Sequence, residues 1–306
     1  MRYMDKSIII FISIILVVSI TLLVLLKYTY QTIPGVSSMK TSTTTASKTI
    51  KSTITRSTST TTSTTTIKTG NITLIVVVDN NPDPKGILRS AWGLSILINT
   101  SQGLILFDTG PDPNLLKHNL LKLGIRPQDI KAVIISHSHG DHTGGLPFIL
   151  KNHPGIPVYI PAGSSRYLEE YILKYGGVPI TVNETTMIMD GIYILGELYG
   201  PPWEQSLVVR SDKGYVLLVG CSHPGIVRIT EHLINDLGRP PYLIIGGFHI
   251  AGAPLTECKD IVEKLISLGV KKIAPIHCSG NTIRELLEKE YSNYYIQAHT
   301  GTIIRI

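Results

Sequence analysis

ISHSHGDHTGG, residues 135–145, is the stretch on which the reading of this chain turns. His137, His139, Asp141 and His142 fall within six residues, directly after the apolar run KAVIIS (131–136). Imidazoles and carboxylates are the ligands that zinc, iron and manganese take. In extended chain, residues two apart point the same way, so His137 and His139 face one position. Asp141 and His142 lie beyond the turn and serve a second position. Four ligands packed this closely do not fit one tetrahedral ion, and the spacing predicts two divalent cations a few ångströms apart. Zinc is the first expectation, with iron or manganese as alternatives. A structural zinc site would instead show paired cysteines, and no C-x-x-C occurs. Gly140, Gly144 and Gly145 are expected to relieve backbone crowding around the loop.

Upstream of this segment, ITLIVVVD (72–79), GLSILIN (93–99) and GLILFDTG (103–110) read as short strands, and HNLLKLG (118–124) has helical spacing with a glycine stop. Downstream, SSRYLEEYILKYGG (164–177) reads as a helix. SLVVRS and GYVLLVG (206–211 and 214–220) read as a strand pair turning at Asp212 to Gly214. Helices at 225–238, 256–270 and 282–292 then alternate with strands at 241–247, 271–277 and 301–306. Early strands followed by strand–helix alternation describe an α/β fold, with sheets flanked by helices.

Candidate ligands recur where these later strands end. VLLVGCSHPG (216–225) places Cys221 and His223 after a strand, LIIGGFH (243–249) places His249, and APIHCSG (274–280) places His277 and Cys278. Any one of these would ordinarily be a hydrogen-bonded core residue. Recurrence of one context beside HSHGDH favours ligation for at least two of them, because strand-end loops on one sheet edge form the functional crevice of layered α/β proteins. Ser138 and Ser222 read as loop formers, and Cys258 as a core residue on a helix.

The first 70 residues hold eight Lys or Arg against one acid, Asp5, and the remainder is near-neutral. The basic pI of 9.1 therefore belongs to the N-terminal segment and is no argument for nucleic-acid binding, which is not expected. SIIIFISIILVVSITLLVLL (7–26) carries no charge, Pro or Gly. A helix of that length rises ~30 Å, the thickness of a bilayer core. A cleaved signal peptide would have a shorter apolar region and a small-residue cleavage site. In residues 41–66, twenty of twenty-six are Ser or Thr, too polar to offset the entropy of ordering. The chain thus divides into a single-pass transmembrane anchor (1–30), a disordered Ser/Thr-rich linker (31–70) and a catalytic body (71–306). The linker reads as an O-glycosylated stalk or a plain spacer. N-x-[ST] sequons at Asn71, Asn99 and Asn183 add weak support for an extracellular body at the cell membrane. The three cysteines rule out a disulfide scaffold.

HSHGDHTGG resembles the HxHxDH signature of the metallo-β-lactamase superfamily. LFDTG (106–110) resembles that superfamily's strand-end Asp motif and puts Asp108 beside the metal loop. The combination WGLSILI, LFDTG, SHSHGDHTGGL, EQSLVV, GCSHPGI, GGFHI and PIHCSG is similar to the subgroup containing archaeal dihydropterin–ribofuranosylaminobenzene-phosphate synthase, over roughly 71–306. The resemblance implies an αββα sandwich with metals at one edge. It implies His137 and His139 for one metal, Asp141 and His142 for the other, and His277 for the second site. For the middle ligands it ranks His223 first, Cys221 at the bridging place second, and Glu204 of EQSLVV third. Asp108, Cys278 and, where it is not itself a ligand, Glu204 are expected to support the ligands from behind, and His249 to act on substrate. The subgroup often has a bulkier residue at Gly140, implying a more open mouth here.

These expectations lead to a membrane-anchored, metal-dependent hydrolase acting on a small-molecule ester, phosphoester or lactone. In this reading a metal-activated water attacks, and Asp141 and His249 carry proton transfer. The alternatives are a dihydropterin-diphosphate-dependent synthase, in which diphosphate leaves and a C–C bond forms, and a surface binding module with a vestigial metal site.

Overall fold

Strand β1 (Thr73–Val78) opens the computed structural model, which describes residues 72–306. It pairs antiparallel with β2 (Ser95–Thr100), which turns back into β3 (Gly103–Phe107). The next strands, β4 (Ile130–Ile134), β5 (Pro157–Pro161) and β6 (Val178–Val182), add in parallel, and the last strand, β13 (Ile303–Arg305), closes the far edge beside β1. A second sheet runs β12-β11-β10-β9-β8-β7. Its members are β7 (Thr186–Met189), β8 (Ile192–Tyr199), β9 (Trp203–Ser211), β10 (Gly214–Val219), β11 (Pro241–Gly246) and β12 (Lys272–Pro275). Strands β7 to β10 are antiparallel, and β10, β11 and β12 are parallel.

Period-two side-chain alternation makes these sheets a sandwich. Ile105 and Phe107 of β3 face Val216 and Leu218 of β10 across a shared core, with Ile96, Ile134, Ile194, Leu207 and Ile245 around them. Leu106 of β3 points outward into a layer with Leu116 and Leu120 of helix α1 (Pro113–Lys122). On the other side Leu217 and Val219 of β10 meet Ile229 and Leu233 of α5 (Ile226–Leu237), Val262 and Leu265 of α6 (Leu255–Ser267), and Ile283 and Leu286 of α7 (Asn281–Glu290). Over the central strands both faces of both sheets are covered, which is why those strands read as unbroken apolar runs. Each such side chain stabilises the fold by ~1.5–3 kcal/mol relative to exposure. The architecture is the αββα sandwich that the resemblance implies.

Three details depart from the sequence reading. The first helix begins at Pro113, capped by Asp112 accepting from the amides of Asn114 and Leu115, and so precedes the 118–124 pattern. Strands β5 to β8 have no counterpart in the sequence-based elements. In β6 and β7 most side chains are not fully buried, so no apolar run marks them. The glycine at 140 has open space where a Cβ would stand and relieves no crowding, whereas a Cβ at Gly144 or Gly145 would collide with backbone oxygens of Pro111 or Thr109. The anchor and linker, residues 1–70, lie outside the described residues. Among the described residues no helix is long and apolar enough to cross a membrane.

Candidate metal centre

Every chemistry-bearing residue singled out above, apart from Glu204, follows the C-terminal end of a strand. Asp108 follows β3, and the His137–His142 loop follows β4 and enters the one-turn helix α2 (Gly140–Thr143). Cys221 and His223 follow β10, His249 follows β11, and His277 with Cys278 follows β12. Parallel pairing of β10, β11 and β12 brings three separate chain segments to one level at the sandwich edge.

Two sets of donors converge there. Ligand atoms of His137, Cys221 and His223 lie within 4.8 Å of one another, as do those of His142, Cys221 and His277. His139 joins the first set: its Nδ1 is 3.1 Å from His137 Nε2, and its ring centroid is 4.9 Å from that of His223. Asp141 joins the second set: its Oδ2 is 3.7 Å from His142 Nε2 and 3.5 Å from His277 Nε2. Cys221 Sγ stands between the sets, 3.3 Å from His142 Nε2. All seven residues read as ligands are thus together.

Glu204 stands apart from both sets. Its Oε1 accepts from the amides of Cys221 and Ser222 at 2.9 and 2.8 Å, and its Oε2 accepts from the His223 amide at 2.8 Å. Of the two places open to it, third-ranked middle ligand or support from behind, the geometry is that of the second: both oxygens are spent on amides, and the carboxyl holds the loop that carries Cys221 and His223. Burial pushes it up to about 7, against the downward pull of those amides. Gly220 permits the arrangement, since a Cβ there would sit 2.1 Å from Ser136 Oγ.

The hydrogen bonds behind the ligands prepare them to bind a cation. Asp108, fully buried, accepts at Oδ2 from His142 Nδ1 and from Ser136 Oγ, each at 2.7 Å, and at Oδ1 from the Ser136 amide. Ser136 has spent its one proton on Asp108, so it accepts from His137 Nδ1 at 2.9 Å. One carboxylate therefore sets the tautomer of two imidazoles and leaves both Nε2 lone pairs facing the centre. His277 Nδ1 donates to Asn80 Oδ1 at 3.0 Å, while Asn80 Nδ2 donates to the His277 carbonyl. The His277 amide donates to Asp79 Oδ1 at 2.6 Å. Asp79, Asn80 and Ser136 were not singled out by the sequence reading. The Asp that ends ITLIVVVD, in a place like that of Asp108, is the signal that could have found Asp79.

Strain and charge point the same way. Among the described residues, positive φ at non-glycine positions occurs at Asp108, Ser222, His249 and His277, all in strand-end loops around the centre. Such backbone persists where the surroundings over-determine it, which is common at functional sites. Burial drives His137 well below the ordinary imidazole range, and the neighbouring His142 adds to it. Burial, with His249 and His139, lowers His223 to about 4. Burial alone would raise Asp141, but the nearby His277 ring, 3.5 Å away, and the charge of His142 outweigh it and hold the carboxyl at about 2. Neutral His137 and His223 and an ionised Asp141 are in the states that bind cations, whereas at His142 burial is outweighed by Asp108, which raises it, so that ring must lose a proton to bind one.

The residues fit divalent cations on a direct observation: Nε2 of His223 and of His277 are buried and make no hydrogen bond. Buried polar atoms rarely lack a partner, and both of these lie in the donor sets. At the rim, Trp92 is 56% exposed with its ring 5.1 Å from that of His277. His249 is exposed, with its ring 4.3 Å from that of His223. Ser222 closes the loop by donating to the Gly247 carbonyl, and Cys258 is buried among the α6 contacts.

Known proteins resemble this chain in sequence and fold. The chain is 30% identical over 287 residues to 7,8-dihydropterin-6-methyl-4-(beta-D-ribofuranosyl)-aminobenzene-5'-phosphate synthase of Methanocaldococcus jannaschii, covering 78% of this chain and 98% of that protein. It is 26% identical to the solved structure of Tm1679, a metal-dependent hydrolase of the beta-lactamase superfamily, with a TM-score of 0.64 over 77% of this chain and 99% of that one. A solved diphosphatase of the PhnP family shares the fold at 18% identity and a TM-score of 0.56, over 77% of this chain and 97% of that one. The family model for the metallo-beta-lactamase superfamily matches residues 93–277, from the turn before β2 to the strand-end His277, and the chain belongs to that superfamily.

Proposed function

We propose that the body is a metal-dependent hydrolase of a small-molecule ester, phosphoester or lactone, holding two divalent cations, zinc in the first place. The observation that carries this reading is the pair of buried, unpartnered imidazole nitrogens on His223 and His277, each in its own donor set around Cys221. His137, His139 and His223 would hold one cation, and Asp141, His142 and His277 the other, with Cys221 between them. Cations held there supply Lewis acidity, making water nucleophilic at neutral pH and neutralising charge on a substrate oxygen. The chain's own groups do the rest. Asp141, ionised and 22% exposed at its side chain, orients the attacking water and accepts its proton. His249 at the rim delivers a proton to the leaving group, and Asp108 keeps His137 and His142 in the binding tautomer. The 26% identity to Tm1679 supports hydrolysis.

A second reading rests on a different observation, the 30% identity along nearly the whole length of the Methanocaldococcus synthase. In it the same donor sets bind a departing diphosphate. One experiment separates the two. The metal-loaded full chain is offered p-nitrophenyl carboxyl and phosphate esters and, separately, a dihydropterin diphosphate with an aryl acceptor. Ester turnover that is lost in His139→Ala supports the hydrolase. Diphosphate release that needs both co-substrates overturns it in favour of the synthase. Metal-free protein indifferent to added cations would leave only a binding module. The bilayer anchor and the extracellular body are proposed from residues 7–26 and 41–66. Protease shaving of intact cells tests them: a body that survives untouched faces the cytoplasm.

A further inference from the structure

Cys221 belongs to a third set of donors, whose other sulfur, on Cys278, the proposed chemistry does not use. Its Sγ, the Cys278 Sγ and a ring nitrogen of His249 all lie within 4.8 Å of one another. Both thiols are buried, Cys221 at 4% and Cys278 at 5% exposure, and both are free. Cys278 Sγ is 3.7 Å from the Cys221 carbonyl oxygen. The backbone is shaped around this trio. His249 is held at φ 54°, and a Cβ on Gly247 would stand 2.6 Å from Cys278 Sγ. The loops are tied together by Ser222 Oγ donating to the Gly247 carbonyl at 2.7 Å and by the Phe248 amide donating to Ser279 Oγ at 3.0 Å. Two sulfurs and an imidazole are a borderline-to-soft ligand set, unlike the imidazole and carboxylate donors of the other two. A Cys2His set with one open side is a known zinc arrangement, and here the exposed His249 marks the open side.

We infer that Cys221, Cys278 and His249 form a separate seat for one thiophilic cation, zinc or softer, next to the imidazole-rich centre. Binding converts two thiols to thiolates and releases two protons to solvent. Cys221 is common to all three sets, so a cation here draws that sulfur away from the other two. The inference rests on the metal-centre reading only through this shared residue, and it is read by sulfur spectroscopy rather than by turnover.

The test uses the reduced, chelator-stripped full chain, with cobalt(II) as the spectroscopic probe and cadmium(II) as the soft one. Cobalt should produce a thiolate-to-metal charge-transfer band whose intensity falls to about half in Cys278→Ser, because one of two thiolates remains. Cadmium should slow alkylation of Cys221 and Cys278 together by roughly tenfold or more while leaving Cys258 unchanged, and His249→Ala should weaken that protection. The alkylation measurement on the unaltered chain stands even if a variant fails to fold. Full band intensity in a folded Cys278→Ser, or Cys278 alkylated equally with and without cadmium, overturns the inference. So does a thiol count on the chain as purified, taken before reduction, in which Cys221 and Cys278 are missing and are recovered by reductant, which would mean a Cys221–Cys278 disulfide. His139→Ala should abolish ester turnover yet keep cadmium protection of Cys278. Failure of the hydrolase reading and failure of this one are therefore distinguishable.

Discussion

The two sheets furnish the centre in different ways. The first delivers four donors from one short loop, His137 to His142, hung from β4 and steadied by the neighbouring Asp108 of β3. The second delivers its donors one or two at a time, from the tips of β10, β11 and β12, and depends on parallel register to bring them level. The loop is a local device whose geometry follows from a few residues. The strand tips are a collective device, so each needs its own anchor: Glu204 for Cys221 and His223, Ser279 for the start of the His249 loop, Asp79 and Asn80 for His277. Damage to the loop should therefore remove chemistry with little loss of fold. Damage to an anchor should cost both.

The sharpest way to break this contrast is at a donor of the loop. His139→Ala, at an exposed position, should lower activity by at least about a hundredfold, more than outer-partner mutations cost, and leave the melting temperature of the chelated protein nearly unchanged. A large drop in melting temperature would show that the loop is structural after all. Asp108→Ala comes next. It leaves His142 Nδ1 and Ser136 Oγ without their acceptor and should weaken metal affinity by about 10–100-fold, measured by competition with a chromogenic chelator. Unaltered affinity would deny Asp108 its control of the tautomers.

Glu204→Gln probes the collective device. One amide donor of the Cys221–His223 loop would face a side-chain NH2 in place of an oxygen, at a cost of about 1–3 kcal/mol in urea unfolding. A neutral result would mean that the strand-tip loop holds itself. The smallest effect concerns pH. His223 is held at about 4 against an ordinary 6.5, so between those values the unfolded chain binds the extra proton. The stability contributed by neutral His223 is complete above about 6.5 and is lost as pH falls towards 4. In chelated protein, His223→Gln should flatten that part of the stability–pH curve, and an unchanged slope would place the effect elsewhere.

Legibility follows the same division. HSHGDH was readable because its donors are neighbours in sequence and extended-chain geometry alone pairs them. Asp108 could be placed through LFDTG, and the strand-end position of Cys221, His223, His249 and His277 through the apolar runs before them. Glu204 stayed open between ligand and support, because a carboxyl serving as ligand and one holding three amides look identical in one dimension. Asn80 was invisible for a related reason, since its partner His277 is 197 residues away, and Asp79, 198 residues from it, showed only as the Asp that ends a strand. Strands β6 and β7 were missed where burial is partial and the periodic signal fades.

By itself, then, the amino-acid sequence determined the α/β layering and the loop of four donors, because side-chain period and nearest-neighbour spacing are local properties. The apolar run at 7–26 and the Ser/Thr stretch at 41–66 are likewise matters of composition. Only the tertiary structure decided that Cys221 is common to three donor sets, that Glu204 holds a loop, and that two imidazole nitrogens face the centre without a partner. Those facts depend on which strands lie side by side and in what register, and that outcome is set by burial summed over the whole sandwich rather than by any one segment.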